Sequence, residues 1–195
     1  MTENNNVLDL GVVNGKVRLL KYDPRWKEEA DRTIRELRTY LNGDDIFGFQ
    51  HVGSTSIPGI PAKPIIDIAV AVKGEETVEK YRPVMEARGF AFLGKINVDD
   101  WMYYIGHPGQ NDRTHHIHFV TAGSRAWDDY INFRDYLSAD EKPRKEYEEL
   151  KRRLSETKAN ERKAYHDLKS PLICRLIEEA REWKMTGEGQ GQIQG

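Results

Sequence analysis

The sequence is short of the features that would place it in several broad classes of protein. Its single cysteine cannot form an internal disulfide. No apolar run approaches the roughly 20 residues that a membrane-spanning helix needs, and the first residues lack the basic region and apolar core of a signal peptide. The 30 basic and 32 acidic side chains nearly cancel, which leaves no overall positive field for long nucleic acid. We therefore expect a soluble cytoplasmic protein that binds neither a membrane nor a long polynucleotide.

Apolar residues are arranged so that strands come early in the chain and helices follow as a block. Asp23-Pro24 is a typical helix start, and apolar side chains recur every three or four residues after it. Pro83 should break or kink the next predicted helix near Arg82. Strands are predicted at Ile46–Val52, Pro64–Val72, Phe90–Lys95, Trp101–Gly106 and His115–Thr121, and helices after Pro24, over Thr77–Arg88 and from Ser124, Asp140 and Ser170-Pro171.

This order of elements predicts the α+β class. One domain is expected over residues 1–186, with a helical part that begins at about residue 124. The tail 187–195 (GEGQGQIQG) has low complexity and is predicted to be disordered. The lone Cys174 lies among apolar residues of the last predicted helix, so we expect a buried structural thiol there.

The segment Pro64–Val72 (PIIDIAVAV) predicts a central strand, because a nearly unbroken apolar run is typical of a strand covered on both faces. Alternate side chains of a strand point to opposite faces. Asp67 therefore shares a face with Ala69 and Ala71, whose small side chains leave room beside the carboxylate. The opposite face carries larger side chains that can pack under helices, namely Ile66, Ile68, Val70 and Val72.

The connection His51–Pro64 (HVGSTSIPGIPAKP) is rich in groups that bind phosphate. Glycine lets a ligand approach the backbone, hydroxyl and amide groups donate hydrogen bonds, and lysine supplies positive charge. The alternative is a tight turn whose hydroxyls bond their own backbone. A Walker loop is excluded, because the spacing of Gly53 and Gly59 differs and no Lys-Ser/Thr pair follows. The candidate phosphate- or nucleotide-binding residues are His51, Gly53, Ser54, Thr55, Ser56 and Lys63.

Five motifs, in order, resemble the GrpB family. The longest is HVGSTSIPGIPAKPIIDI at residues 51–68, where a His-hydrophobic-Gly-Ser-Thr-Ser element leads to Lys-Pro and a strand bearing aspartate. The others are YDP-x-W at Tyr22–Trp26, HHIHFV at His115–Val120, FRDYL at Phe133–Leu137 and EY-x-x-LK at Glu146–Lys151. The resemblance extends from about Val17 to Trp183, which is most of the chain.

This resemblance implies a nucleotidyltransferase-like mixed β-sheet with flanking helices and a helical C-terminal half. In that superfamily a Gly-Ser turn binds a nucleoside triphosphate, and a following strand carries an Asp-x-Asp/Glu pair that holds divalent metal. By position, Gly53-Ser54 would be the phosphate turn, and Asp67 would be the first metal ligand and catalytic carboxylate. Ala69 stands at the second carboxylate position. Two magnesium ions normally need bridging carboxylates, so the protein uses one metal, replaces the missing ligand or has lost catalysis.

His116 and His118 are candidate metal ligands in place of the missing carboxylate. On a strand they share one face, so both imidazoles can reach one ion or one phosphate. Histidine suits zinc, manganese or iron better than magnesium. Magnesium or manganese is the metal that the resemblance implies, and zinc is the alternative. The other interpretation is that these histidines form ordinary hydrogen bonds at the edge of the core. His51 is a third candidate ligand or phosphate contact.

Charged residues of the helical half allow three smaller predictions. Lys169 lies four residues after Tyr165 and could approach a phosphate from that side. Arg134 and Asp135 are expected to form structural ion pairs. The run Lys142–Arg153 mixes charges of both signs, which is typical of a solvated helix face with pairs four residues apart.

These observations predict a protein that binds a nucleotide or similar phosphorylated small molecule with a divalent metal. An active protein of this kind would transfer a nucleotidyl group to a small acceptor. Two alternatives stay open. One is a non-catalytic module that binds a nucleotide or a partner, and the other is a phosphoester hydrolase with a histidine-bound metal.

Overall fold

The computed structural model describes residues 7–157 and 161–187, so most of the predicted tail 187–195 lies outside the described residues. In chain order the elements are β1 (Val12–Val13), α1 (Arg25–Arg38), β2 (Ile46–Val52), β3 (Ile66–Val72), α2 (Glu75–Glu86), β4 (Ala91–Asn97), β5 (Asp100–Ile105), β6 (Asp112–Arg113), β7 (His115–Thr121), α3 (Arg125–Ala139), α4 (Glu141–Thr157) and α5 (Arg162–Met185). None of these helices combines the length and apolarity that crossing a bilayer requires.

Five strands form one mixed sheet in the order β2-β3-β7-β5-β4. β3 and β7 run parallel, and the other neighbours are antiparallel. The short strands β1 and β6 pair separately. Five helices accompany the sheet, and the last three follow it in sequence. The predicted α+β class, with a mixed sheet, flanking helices and a helical C-terminal half, is confirmed.

Both faces of β3 are buried, as its apolar run predicts. The face with the larger side chains packs under α1 and α2, where the core includes Trp26, Ala30, Leu37, Val78 and Met85 together with Ile66, Ile68, Val70 and Val72. The other face lies under α3, where Ala69 packs with Val52 and Val120. The start of α3 is fixed by Ser124, whose side chain accepts a hydrogen bond from the backbone N–H of Trp127.

The helical half also covers the connection between β2 and β3. Ile57 and Ile60 of that connection are fully buried, and they pack against Leu137 of α3, Tyr147 of α4 and Leu176 of α5. Burial of an isoleucine side chain contributes about 1.5–3 kcal/mol, so these contacts hold the connection firmly between sheet and helices. The predicted phosphate-binding segment is therefore a well-packed element, enclosed by residues far from it in sequence.

Two prolines lie inside helices. The predicted break at Pro83 and the predicted helix start at Ser170-Pro171 are therefore wrong. α2 continues past Pro83 to Glu86, and fully buried Met85 holds this last turn in the core. α5 continues through Pro171 because it packs against both α3 and α4. In each helix, burial of flanking residues outweighs the one backbone hydrogen bond that proline removes.

Two predicted side-chain environments are also wrong. Cys174 is exposed rather than buried, since it lies about 200° around the helix from buried Leu176. Lys151 is not on a solvated face, because it is only 1% exposed. Its position, three or four residues from buried Tyr147 and Leu154, places it on the inward stripe of α4.

Candidate functional site

Asp67, His116 and His118 converge on one face of the sheet. The parallel register of β3 and β7 sets Asp67 beside His116 and Ala69 beside His118. Nδ1 of His116 lies 2.9 Å from Oδ1 of Asp67, and Nε2 of His118 lies 3.9 Å from the same oxygen. One ligand atom from each of the three residues lies within 4.8 Å of the other two. The residues predicted from sequence as metal ligands are thus brought together, with a histidine next to the position that lacks a carboxylate.

Asp100 and Tyr130 hold the imidazole of His118, and sequence reasoning missed both. Nδ1 of His118 lies 3.2 Å from Oδ1 of Asp100 and 3.0 Å from the hydroxyl of Tyr130. The Tyr130 hydroxyl itself donates to Asp100 at 2.7 Å. Nδ1 therefore carries a hydrogen, and Nε2 is the atom presented to Asp67. In many metal sites the ligating histidine donates its other ring N–H to a carboxylate, and this hydrogen bond orients the ring. From the sequence alone, Asp100 is predicted in a polar turn and Tyr130 on the apolar face of a helix, so neither is singled out as a site residue.

The electrostatics of this cluster favour a negative Asp67 and a positive His118. Burial would raise the pKa of the Asp67 carboxyl, but the hydrogen bond from His116 and the nearby His118 imidazole outweigh it and lower that pKa. Burial opposes a charge on His118, yet Asp100 and Asp67 together raise its pKa to about 9. Burial lowers the pKa of His116, which favours its neutral form. A neutral imidazole and an ionised carboxylate are the forms that bind metal. Asp67 and His116 are in these forms, whereas His118 would have to release a proton as the metal binds.

The donor set fits one divalent metal ion. Nε2 of His116 is buried and has no hydrogen-bond partner among the described residues, so this nitrogen is available to a ligand. Metal bonds of about 2.0–2.2 Å place tetrahedral ligand atoms roughly 3.3–3.6 Å apart. Nε2 of His118 lies 3.9 Å from Oδ1 of Asp67, close to that spacing. The 2.9 Å contact of Asp67 is a hydrogen bond from Nδ1 of His116, which leaves Nε2 of His116 for the metal. Two histidines and one carboxylate suit zinc, iron or manganese.

Gly53 packs directly against the Asp67 carboxylate. A Cβ atom at position 53 would lie 2.4 Å from Oδ2 of Asp67, which is too close for any side chain. Gly53 also has φ 69° and ψ −171°, a backbone conformation that is essentially restricted to glycine. The turn that follows it is a short 3₁₀ segment, Ser54–Ser56. The predicted phosphate turn and the predicted metal ligand are therefore in contact.

The hydroxyl groups of this turn divide into two kinds. Thr55 and Ser56 bond their own segment, through the Ile65 carbonyl at 3.2 Å and the Gly53 carbonyl at 2.6 Å, as the structural alternative predicts. Ser54 is half-buried, and its hydroxyl forms no hydrogen bond within the described ranges. Ser54 is thus the hydroxyl free to bind phosphate.

His51 supports the turn and lies outside the metal cluster. Thr55 donates its hydroxyl hydrogen to a backbone carbonyl, so its oxygen accepts from Nε2–H of His51 at 3.0 Å. Burial lowers the pKa of His51 to about 4, so its imidazole is neutral at pH 7.

Two basic residues border the turn. Lys63 follows it, is half-buried, and has its ammonium 4.3 Å from the ring centroid of Tyr165. Arg134 of α3 donates to the Gln50 side chain at 2.8 Å and to the His51 carbonyl at 3.0 Å, and it pairs with Asp135 at 2.8 Å. The Arg134–Asp135 ion pair matches the sequence prediction, and the hydrogen bonds of Arg134 to Gln50 and His51 tie α3 to β2.

Comparisons with known proteins agree on one family. The family model described as GrpB protein matches residues 16–179. The glutamate-rich protein GrpB of Alkalihalophilus pseudofirmus is 34% identical over 173 residues, which cover 87% of this chain and 99% of that protein. The crystal structure of conserved protein GrpB from Enterococcus faecalis superposes with a TM-score of 0.76 at 26% identity, over 85% of this chain and 99% of that chain.

Some relatives are longer than this chain. UPF0157 protein YqkA of Bacillus subtilis is 34% identical over 169 residues, and the chain, 87% of which is covered, spans about half (48%) of its length. A protein of Mycolicibacterium paratuberculosis named dephospho-CoA kinase is 26% identical over 88% of this chain and 48% of its own length. With the family model matching most of the sequence and a relative covered almost end to end, the chain belongs to the GrpB family.

Proposed function

We propose that the protein binds a nucleotide or similar phosphorylated small molecule together with one divalent metal ion. The observation that carries this proposal is the convergence of Asp67, His116 and His118 beside a glycine turn with a free serine hydroxyl. Binding of a phosphate through a metal requires side chains that hold the metal, here imidazoles and a carboxylate. It also requires a donor such as a hydroxyl that can bond the phosphate oxygens. A relative named dephospho-CoA kinase adds support, since dephospho-CoA is itself a phosphorylated small molecule.

In this proposal the three ligand residues hold a single metal, with manganese or zinc better suited than magnesium. Ala69 offers no ligand, and the Asp100 carboxylate already bonds His118 and Tyr130. A bound metal would supply Lewis-acid polarisation of a phosphate oxygen. The reaction that we propose for this site is transfer of a nucleotidyl group from a nucleoside triphosphate to a hydroxyl or amine. The new bond to the α-phosphorus would replace the bond to pyrophosphate, which would leave, and the acceptor would lose a proton. Ser54 would hold phosphate oxygens, and Lys63 would neutralise their charge.

One observation favours a second candidate, a phosphoester hydrolase with a metal held by histidine. The Asp100–His118 pair resembles the orienting contacts of sites that bind zinc without help from a substrate. Metal analysis of the purified protein separates the two candidates. A stoichiometric metal that stays bound through purification and treatment with a chelator would favour the hydrolase. A metal that binds reversibly, and more tightly when nucleotide is present, would favour the transferase.

The proposal is tested by a thermal-shift screen against nucleoside triphosphates, dephospho-CoA and other phosphorylated metabolites, each with manganese, zinc, magnesium or chelator. A ligand that binds only the folded protein raises its melting temperature by mass action. We expect a metal-dependent shift that Asp67→Asn abolishes. The matched control is Asp44→Asn, which removes the same charge from an exposed position.

Equal metal-dependent shifts in the wild-type protein and Asp67→Asn would refute the assigned role of Asp67. A complete lack of shifts would instead favour the non-catalytic partner-binding module.

A further inference from the structure

Three lysines from separate parts of the chain meet around two tyrosine rings, behind the turn that leads to Asp67. Lys151 of α4 has its ammonium 4.9 Å from the ring centroid of Tyr147, and Lys169 of α5 lies 5.6 Å from the same centroid. Lys169 is also 5.7 Å from the Tyr165 ring, over which Lys63 lies at 4.3 Å. The rings therefore link the three ammonium groups into one cluster.

Lys151 and Lys169 lack the acidic partners that other lysines on the same helices have. Lys145 pairs with Glu141 on α4, and Lys163 pairs with Asp167 on α5. Within residues 7–157 and 161–187, Lys151 has one hydrogen bond, to the Pro61 carbonyl at 2.6 Å, and neither it nor Lys169 has a carboxylate within salt-bridge distance. An ammonium group has three hydrogens to donate, so most of this capacity is unused.

The cluster is electrostatically unfavourable as it stands. Burial lowers the pKa of Lys151 well below its ordinary value, and the positive charges of Lys169 and Lys63 lower it further. Burial likewise lowers the pKa of Lys169. Aromatic faces attract cations, but this attraction offsets only part of the cost of a buried charge. Glu148 favours the charged form of Lys151, and the Asp67 carboxylate is near enough to favour the charged form of both lysines. Neither carboxylate forms an ion pair with these lysines among the described residues.

The tyrosine between two of these lysines also has an unused polar group. Tyr165 is fully buried, and its hydroxyl has no hydrogen-bond partner among the described residues. Buried hydroxyl groups are nearly always hydrogen-bonded in native proteins. A ligand with several acceptor oxygens would satisfy this hydroxyl and the free ammonium hydrogens together.

We propose that Lys63, Lys151 and Lys169 form an anion subsite that holds the phosphate chain of the ligand on the helical side of the turn. This inference rests on the proposed function and narrows its substrate class. The three lysines outnumber the two carboxylates that act on Lys151, Glu148 and Asp67, so the cluster complements a ligand with several negative charges. The subsite therefore selects a diphosphate or triphosphate over a monophosphate.

Inorganic tripolyphosphate, pyrophosphate and orthophosphate test the subsite directly, without nucleoside or metal. Calorimetric titration in the presence of EDTA should give the tightest binding to tripolyphosphate and the weakest to orthophosphate. Lys169→Met should weaken tripolyphosphate binding about tenfold or more, because a hydrogen bond to a charged group is lost. Lys163→Met is the matched control, since it removes the same charge from a 91% exposed position on the same helix and should bind as wild type does.

Thermal unfolding distinguishes a ligand site from a purely structural role. Without ligand, Lys169→Met should melt at a temperature at least as high as wild type, because it relieves repulsion among the lysines. Wild-type protein that does not bind tripolyphosphate would overturn the subsite, and so would a Lys169→Met variant that keeps the wild-type Kd. Asp67→Asn removes the proposed metal ligand and keeps the three lysines, so in EDTA it should bind tripolyphosphate at least as tightly as wild type. If the metal site is wrong, tripolyphosphate binding is unaffected; if the subsite is wrong, the wild-type protein does not bind tripolyphosphate.

Discussion

Replacement of Gly53 by alanine tests whether the turn and Asp67, the proposed metal ligand, form one unit. The added Cβ would lie 2.4 Å from Oδ2 and 2.9 Å from Cγ of Asp67, so either the turn or the carboxylate must move. The backbone at Gly53, with φ 69°, would itself be strained. Gly59 provides a matched control in the same connection, because it has φ 82° and nothing within 4 Å of an added Cβ.

The expected magnitudes differ between the two variants. A non-glycine residue in a region such as that of Gly53 costs about 1–3 kcal/mol, and the forced displacement of Asp67 adds about 1–3 kcal/mol. Gly59→Ala should lose only the backbone term, about 1–2 kcal/mol. For a chain of this size each 1 kcal/mol lowers the melting temperature by about 2–4 °C.

Urea unfolding measures the free energy of unfolding of each variant, as long as the dependence of that free energy on urea concentration stays the same. Titration with manganese or zinc measures the metal affinity of the site. We expect Gly53→Ala to unfold at lower urea than Gly59→Ala and to lose metal binding, which Gly59→Ala should keep. If the two variants had the same stability and the same metal affinity, the contact between Gly53 and the Asp67 carboxylate would support neither property. The proposed link between the turn and Asp67 would then be wrong.

Two further predictions concern residues around the site. Asp100→Asn should weaken metal affinity about 10–100-fold, because His118 loses the carboxylate that orients it; competition with a fluorescent chelator measures this, and unchanged affinity would exclude an orienting role. Hydrogen bonds from Arg32 and His115 lower the pKa of Glu29 to about 2, so this interaction stabilises the fold above pH 4.5 and is lost as the pH falls towards 2. Its contribution is at most about 3 kcal/mol and is reduced by the exposure of Arg32; Glu29→Gln should flatten the pH dependence of urea unfolding in that window, and an unchanged profile would contradict the assignment.

Much of the sheet could be predicted from the sequence, because its strands are short apolar runs between turns. The span of β2 and the inward face of β3 follow from alternation alone. Alternation also predicts that His116 and His118 share one face of their strand. Local backbone preference predicts a break at Pro83 and a helix start at Ser170-Pro171, but the tertiary packing of α2 and α5 overrides this preference.

The supporting residues of the site could not be predicted, because their roles depend on pairing between distant segments. Nothing local distinguishes Asp100 from other turn aspartates until β5 is placed beside β7. Lys151 lies in a run of mixed charge, and only its position on the inward stripe of α4 separates it from its exposed neighbours. Helical periodicity applied to lysines, as well as to apolar residues, would have identified it.

The parallel pairing of β3 and β7 has a consequence for how the protein matures. Asp67 and His116 are 49 residues apart in the chain, and β7 occupies a position between β3 and β5 in the finished sheet. During synthesis, β3 leaves the ribosome well before its parallel neighbour exists, and pairing over such separations is slow. A nascent chain that ends before β7 has the turn and Asp67 but neither histidine. At the proposed site, metal binding would therefore appear late in synthesis, only after β7 has been inserted between β3 and β5.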